Sequence, residues 1–229
     1  MEDMKHIVVL SGAGMSAESG ISTFRDANGL WENHDIMEVA TPEGFQKNPE
    51  LVLRFYNQRR KQLHEVSPNT AHTMLAKLEK HYNVSIITQN VDDLHERAGS
   101  SNVLHLHGEL RKVRSVNDPN TIIPWDNDLN LGDVCEKGHQ LRPHIVWFGE
   151  DVPELINAAN IINQANIVVI IGTSMQVYPA ASLVNYAPLN TPIYFIDPNP
   201  AVSKNSMNNL TIISKTAVHG VKELVEKHL

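Results

Sequence analysis

The sequence predicts an α/β fold: a doubly wound, mainly parallel sheet of about six strands with a small discontinuous lobe. Three observations carry this. Short β-branched runs alternate with helical patterns along the 229 residues. The runs are apolar on both faces, as in Ile167-Val168-Val169-Ile170-Ile171, which suits strands covered by helices on either side. The first run enters the glycine turn Ser11-Gly12-Ala13-Gly14-Met15-Ser16-Ala17, the strand-to-helix connection of a Rossmann-like sheet.

In chain order, strands are expected at 6–10, 84–88, 103–106, 167–171, 192–196 and 210–213. Helices are expected at 68–81, 92–98, 154–165, 179–187 and 218–228, with Gly99 stopping the second of them. Two stretches break the alternation. Residues 30–65 contain a helix start at Asn48-Pro49-Glu50, an N-cap followed by proline in the first turn. Residues 111–143 are rich in Asn, Asp, Gly and Pro and poor in periodicity. These two insertions are read as one small lobe, leaving 1–29, 66–110 and 144–229 as the Rossmann-like part of a single domain spanning 1–229.

Composition narrows the function. Asp and Glu number 26 against 19 Lys and Arg, a net charge of −7, which argues against a partner held by its phosphates, so no nucleic acid is expected. The apolar runs are too short to span a bilayer, and Met1-Glu2-Asp3-Met4-Lys5-His6 leads into a strand without a leader-like segment. Cys135 is the only cysteine, so no internal disulfide can form, and a cytoplasmic location is expected. Nothing points to an obligate interface, and a monomer is expected.

The polar chemistry gathers where strands end. Besides the glycine turn there are Gln89-Asn90-Val91-Asp92, His105-Leu106-His107-Gly108, Gly172-Thr173-Ser174 and Asp197-Pro198-Asn199. Any one of these could be a hydrogen-bonded turn, and glycines also serve simply for tight turns. Five together predict a shared crevice at the carboxyl ends of the strands, with exposed backbone N–H groups facing a pyrophosphate. Hydride transfer is disfavoured: a dehydrogenase needs an acidic residue about 20 residues beyond the glycines, ending a second strand. Here the chain reads Ser22-Thr23-Phe24-Arg25-Asp26-Ala27-Asn28-Gly29, a loop.

Several of these motifs together resemble the sirtuins, the NAD-dependent protein-lysine deacylases. They are Gly12-Ala13-Gly14-Met15-Ser16-Ala17-Glu18-Ser19-Gly20-Ile21, Phe24-Arg25, Thr88-Gln89-Asn90-Val91-Asp92, Leu106-His107-Gly108 and Gly172-Thr173-Ser174. The resemblance runs in the family's order and spacing from about Ile7 to the last helix. It implies that NAD is a consumed co-substrate whose nicotinamide is released, the acyl group passing to ADP-ribose. It implies His107 as general base and Asn90 as holder of the ribose and a water, with Asp92 on the nicotinamide carboxamide. Gly12, Ala13, Gly14, Thr173 and Ser174 would bind the phosphates and nearby ribose, and Asn199 the adenosine side. Ala17, Glu18, Trp31, Gln89, Gly172, Asp197 and Ala217 complete the implied cofactor site, and Phe24 and Arg25 would cover the reacting centre. Val146-Trp147-Phe148-Gly149-Glu150 resembles the segment that pairs with a substrate peptide, through Val146, Phe148 and Gly149.

Not every histidine is assigned chemistry. The chain has 12; His105 is taken to face the opposite side of its strand from His107 and, like His139 and His144, to be structural.

The helix starting at Asn48 suggests the acyl group. At 100° per residue Val52, Tyr56, Arg59 and Leu63 share one stripe, with Arg54 and Lys61 opposite. An arginine inside an apolar stripe needs a partner, and Tyr56 one turn away can aim at the same point, forming a clamp for a carboxylate. The bland alternative is that Arg59 snorkels or pairs with a protein carboxylate and that Tyr56 is ordinary core. The Tyr-x-x-Arg pair resembles that of sirtuins preferring succinyl- and malonyl-lysine, which implies a desuccinylase and demalonylase as well as a deacetylase. In one place the chain departs from the family. Most sirtuins hold a structural zinc with four cysteines in the 111–143 region, whereas Ser115 stands where the first is expected and only Cys135 remains. No metal is expected, and the lobe is expected to rest on Ile122, Ile123, Pro124 and Trp125 instead. NAD hydrolysis or ADP-ribosyl transfer, and a non-catalytic NAD sensor, are the competing readings.

Overall fold

The computed structural model describes residues 4–23, 30, 31, 33–202 and 209–229. In chain order the strands are β1 (His6–Ser11), β2 (Leu30–Trp31), β3 (His34–Asp35), β4 (Asn83–Thr88), β5 (Val103–His105), β6 (Gly108–Ser115), β7 (Ile122–Pro124), β8 (Leu141–Ile145), β9 (Ile167–Ile171), β10 (Ile193–Ile196) and β11 (Leu210–Ile213). The α-helices are α1 (Ile36–Val39), α2 (Pro42–Lys47), α3 (Pro49–Glu65), α4 (Thr70–Leu78), α5 (Leu94–Arg97), α6 (Leu155–Ile162) and α7 (Ala217–Lys227).

Six strands form one parallel sheet in the order β11-β10-β9-β1-β4-β5. The strand residues alternate between two cores. Ile7, Val9, Ile86, Val169 and Ile171 pack with Leu75 of α4 and with Val221 and Leu224 of α7. Val8, Leu10, Ile87, Val168 and Ile170 pack on the other face with Ala158 and Ile162 of α6 and with Leu183 and Val184. Apolar side chains on both faces are therefore consumed by two helical layers, as the continuous apolar runs require. Register levels the carboxyl ends: Ser11 lies opposite Thr88 and Ile171, Thr88 opposite His105, and Ile171 opposite Ile196. The chain leaves β1 toward β4 on one side and returns to β9 on the other, so the crevice above β1 is the switch point of the sheet.

Local chemistry sets the helix ends. Asn48 caps α3, its side chain accepting from Leu51 N–H at 3.1 Å, with Pro49 in the first turn. Asn69 and His72 form a reciprocal capping box at the start of α4, so Pro68 lies outside the helix expected to begin there. The expected helix 92–98 shrinks to α5, because the Asp92 carboxylate binds Leu94 N–H from outside it. Residues 179–187 are not an α-helix: Ala180–Tyr186 is a 3-10 helix. Its tighter winding lines up residues three apart, so Ala180 and Leu183 are both buried in the core shared with α6.

The two insertions pack together. β6, β7 and β8 form an antiparallel sheet in the order β7-β6-β8. Leu53 of α3 shares a core with Val113, Leu129, Cys135 and Leu141. This corrects the expected packing. β7 is an edge strand, so only alternate residues face inward: Ile123 contacts that core, as does Trp125 beyond the strand, while Ile122 and Pro124 face outward. Among the described residues no helix is long and apolar enough to cross a membrane.

Two histidines, His72 of α4 and His95 of α5, are fully buried. His72 and His95 meet ring to ring with centroids 4.8 Å apart. Burial lowers His72 to about 4 and His95 well below 6.5. Both are neutral when folded and protonate on unfolding, so they lower stability as pH falls below 6.5 toward those values. His144, also lowered to about 4 by burial, adds to this. Urea titrations should show unfolding free energy dropping between pH 6.5 and 4 by up to about 1.4 kcal/mol per pH unit per histidine. His72→Gln should flatten that slope.

Candidate functional site

The glycine turn and the turn after β9 touch backbone to backbone. Gly14 N–H donates to the Gly172 carbonyl at 2.8 Å, and Gly12 N–H to Ile171 at 3.0 Å. A Cβ on Gly14 would lie 2.7 Å from Gly172 Cα. Gly172 itself has φ +60°, and a Cβ there would approach Met15 N to 2.4 Å. The glycines are thus required by this approach before any ligand is considered. Among the described residues, the N–H groups of Ala13, Thr173 and Ser174 take no part in the bonds that close the turns.

The turn after β4 joins both. Gln89 donates its side-chain amide to Thr173 Oγ1 at 3.1 Å. The Asn90 amide donates to Ser16 Oγ at 3.1 Å, and Ser16 in turn donates to Asp92 Oδ2 at 2.9 Å. Burial pushes the Asp92 carboxyl up, against the bonds from Leu94 N–H and Ser16 and the His105 charge, which favour its ionised form. Asn69 braces the glycine turn from α4, donating to the Met15 carbonyl at 2.8 Å and to Ser19 Oγ at 3.1 Å.

His107 leans on this turn. Its Nδ1 is 3.1 Å from the Gln89 carbonyl. A carbonyl only accepts, so Nδ1 carries the hydrogen and Nε2 keeps its lone pair. Burial lowers the imidazole pKa, only partly offset by that bond, which leaves the ring neutral near pH 7. His105 is not on the opposite side. β5 ends at His105 and the chain turns before His107, so strand alternation does not separate them, and the Nδ1 of His105 sits 3.1 Å from the next carbonyl, Asn90.

Other expected positions are placed as follows. Ala17 and Glu18 are exposed. The Glu18 carboxylate accepts from Val218 N–H at 2.8 Å and from Thr216 Oγ1 at 3.1 Å, tying the glycine segment to the start of α7 beside Ala217. Asp197 is buried at the end of β10 and accepts from Asn199 N–H at 2.8 Å. Phe24 and Arg25 lie outside the described residues.

On α3 the buried arginine is the neighbour of the one expected. Arg60 is 1% exposed, donating to the Leu110 carbonyl at 2.9 Å and to Asn57 Oδ1 at 2.8 Å. Arg59 is half-buried, with its guanidinium carbon 5.3 Å from the Phe55 ring centre. Tyr56 is fully buried, and its hydroxyl accepts from Trp147 Nε1 at 2.9 Å. Trp31 packs edge-on against Phe55 and Tyr56, with ring centres 4.9 and 5.8 Å away.

Trp147 belongs to a network that sequence reading missed. Arg114 and Arg142 lie opposite each other on β6 and β8, and Glu150 binds both, at 3.0 and 2.7 Å. Glu150 also accepts from Trp147 N–H at 2.8 Å, while the Arg142 guanidinium stacks 3.3 Å over the indole. Only the strand register brings two arginines to one carboxylate, so residue spacing carried no signal. Val146 N–H donates to the His107 carbonyl and Phe148 N–H to that of Ala40, both at 2.9 Å, which hangs the 146–150 segment beside His107. Cys135 Sγ meets Ser115 Oγ at 3.7 Å. Among the described residues no group of three or more His, Cys, Asp or Glu could hold a metal ion.

A parallel sheet whose strand-end turns close around one crevice, with a neutral imidazole at its side, defines an α/β protein of the dinucleotide-binding class. The comparisons with known proteins narrow this. The Sir2 family matches residues 12–179. An NAD-dependent protein deacylase of Helicobacter pylori is 62% identical over 224 residues, covering 98% of this chain and 97% of that one. One from Bacteroides thetaiotaomicron is 55% identical over 227 residues, covering 96% and 97%. The crystal structure of a Sir2 homologue in complex with NAD is 39% identical with a TM-score of 0.84, covering 97% of this chain and 89% of that one. The chain belongs to the Sir2 family.

The backbone contact makes a direct expectation. Gly14→Ala should lower stability by about 1–3 kcal/mol, because the new methyl meets backbone that cannot swing aside. A melting curve of the variant checks this, and an unchanged midpoint would show that the turns can separate.

Proposed function

We propose that this Sir2-family enzyme is an NAD-dependent protein-lysine deacylase whose substrates are acyl-lysine proteins or peptides. The observation that carries the reading is His107. Its Nδ1–H is spent on Gln89, its Nε2 is left as a base, and Gln89 reaches through Thr173 to the glycine turn. The residues suit a dinucleotide: the N–H groups of Ala13, Thr173 and Ser174 remain for phosphate oxygens, and Gly12, Gly14 and Gly172 leave no side chain in the way. NAD, when bound, supplies a nicotinamide–ribose bond whose cleavage turns the sugar into an acyl acceptor.

The chain's own residues then divide the work. His107 takes the proton of a ribose hydroxyl, a step its lowered pKa keeps available near neutrality. Asn90, braced on Ser16, orients the ribose and a water. Asp92 would bind the nicotinamide carboxamide. Asp197 and Asn199 serve the adenosine side. Phe24 and Arg25, outside the described residues, and Trp31 would serve the reacting centre. The peptide lies along Val146, Phe148 and Gly149, where Phe148 is 47% exposed. Cytoplasmic location, a monomeric state and independence from zinc belong to the same reading.

The acyl group is assigned to α3. Arg59 meets a terminal carboxylate, which makes succinyl- and malonyl-lysine substrates beside acetyl-lysine. Trp147 gives its indole hydrogen to Tyr56, so the phenol's own hydrogen is the one left to donate.

His107→Ala should cut nicotinamide release by about 100- to 10,000-fold while calorimetry still records NAD binding. Mass spectrometry of wild-type products should find O-acyl-ADP-ribose; free ADP-ribose alone would favour an NAD hydrolase. Arg59→Met should reduce kcat/KM on succinyl-lysine peptides by about tenfold or more and spare acetyl-lysine peptides. Equal losses on the two would sink the carboxylate assignment.

A further inference from the structure

His105 has no part in the chemistry proposed above, yet it is placed as carefully as His107. Its Nε2 is 2.7 Å from Glu96 Oε1 and its Nδ1 is 3.1 Å from the Asn90 carbonyl. A carboxylate and a carbonyl both only accept, so each ring nitrogen must present a hydrogen, and the ring is an imidazolium. Two histidines of one chain segment therefore grip successive carbonyls, Gln89 and Asn90, in different protonation states.

We propose that His105, charged and held by Glu96, is a positioning residue that fixes Asn90 in the crevice beside His107. It rests on the reading of Asn90 and His107 as site residues. Asn90 has three anchors: its N–H on Thr88 Oγ1 at 3.0 Å, its side-chain amide on Ser16 Oγ at 3.1 Å, and its carbonyl on His105. A neutral His105 has one N–H for two acceptors, and the nearby carboxylate wins it, so the carbonyl anchor is lost.

The surroundings support the charge. Burial alone would push His105 down, but the bond and charge of Glu96, the charge of Glu109 and the Asn90 carbonyl outweigh it and hold the ring above 6.5. The ionisable groups facing it are Glu96 and His95 from α5, Asp92 from the turn after β4 and Glu109 from β6. Of these His95 is neutral, and Glu109 is shared with Lys112, so Glu96 is the main partner of the ring. A raised value means that the contribution is complete below 6.5 and disappears as pH climbs through the folded value. His107, with a lowered value, limits only the acid side. The two histidines thus bound the working pH range from opposite ends.

The test compares wild type, Glu96→Gln and His105→Leu, measuring kcat for nicotinamide release across pH 6 to 10 at saturating NAD and acetyl-lysine peptide. Glu96 is a surface residue of α5, so its variant keeps the test open even where His105→Leu fails to fold. Glu96→Gln should move the alkaline limb to lower pH and cut kcat at pH 8 by roughly three- to tenfold. The acid limb and the peptide KM should stay in place, and 15N-histidine NMR should show the His105 midpoint moving down. An unmoved alkaline limb in Glu96→Gln, or a neutral His105 ring at pH 6.5, would overturn the proposal. Full turnover in His107→Ala or Asn90→Ala would overturn the site reading and the proposal with it, and it would be told apart because His105 would still titrate under the control of Glu96.

Discussion

The site depends on two loops being able to meet without side chains between them. Gly14 and Gly172 bring the turns after β1 and β9 into backbone contact, and the parallel register brings the ends of β4, β5 and β10 to the same level. A substituent at either glycine would drive the turns apart and with them everything hung on them. Thr173 would lose Gln89, and Gln89 is what holds His107. Precision in the crevice is therefore inherited from the sheet through a few short bonds rather than built separately.

Burial then sorts the titratable groups. Desolvation pushes His72, His95 and His107 toward the neutral form, whereas a carboxylate 2.7 Å away holds His105 above its ordinary value. Desolvation raises Asp92, whose oxygens are already committed to Ser16 and Leu94. In the small lobe the opposite solution is used. Arg114, Arg142 and Glu150 stay charged together, and the same carboxylate organises the Trp147 turn that carries the peptide segment of our proposal. Losing one member would strand the others at low dielectric, which is why such a cluster behaves as a unit.

Much of this was legible in the chain. All six sheet strands were expected within a residue or so of where they lie, since apolar runs that long have only one way to be covered. The strand-end clusters were legible for the same reason, because parallel strands must deliver their following loops to one edge. The 3-10 helix at Ala180–Tyr186 was not, since small and apolar residues suit either winding and only the fit against α6 decides. His105 was misassigned for a plainer reason: β5 ends there and the chain turns before His107, so strand alternation does not apply, and its partner Glu96 sits on another element.

The sequence by itself determined the sheet, the order of its turns and the residue types that gather there, because hydrophobic period and turn chemistry act over a few neighbours. Which of Arg59 and Arg60 would be buried, which histidine would carry a charge and which acid would join two arginines were decided only by tertiary structure. Those outcomes turn on distances of about 3 Å between residues far apart in the chain, and helix rotation and strand register set such distances.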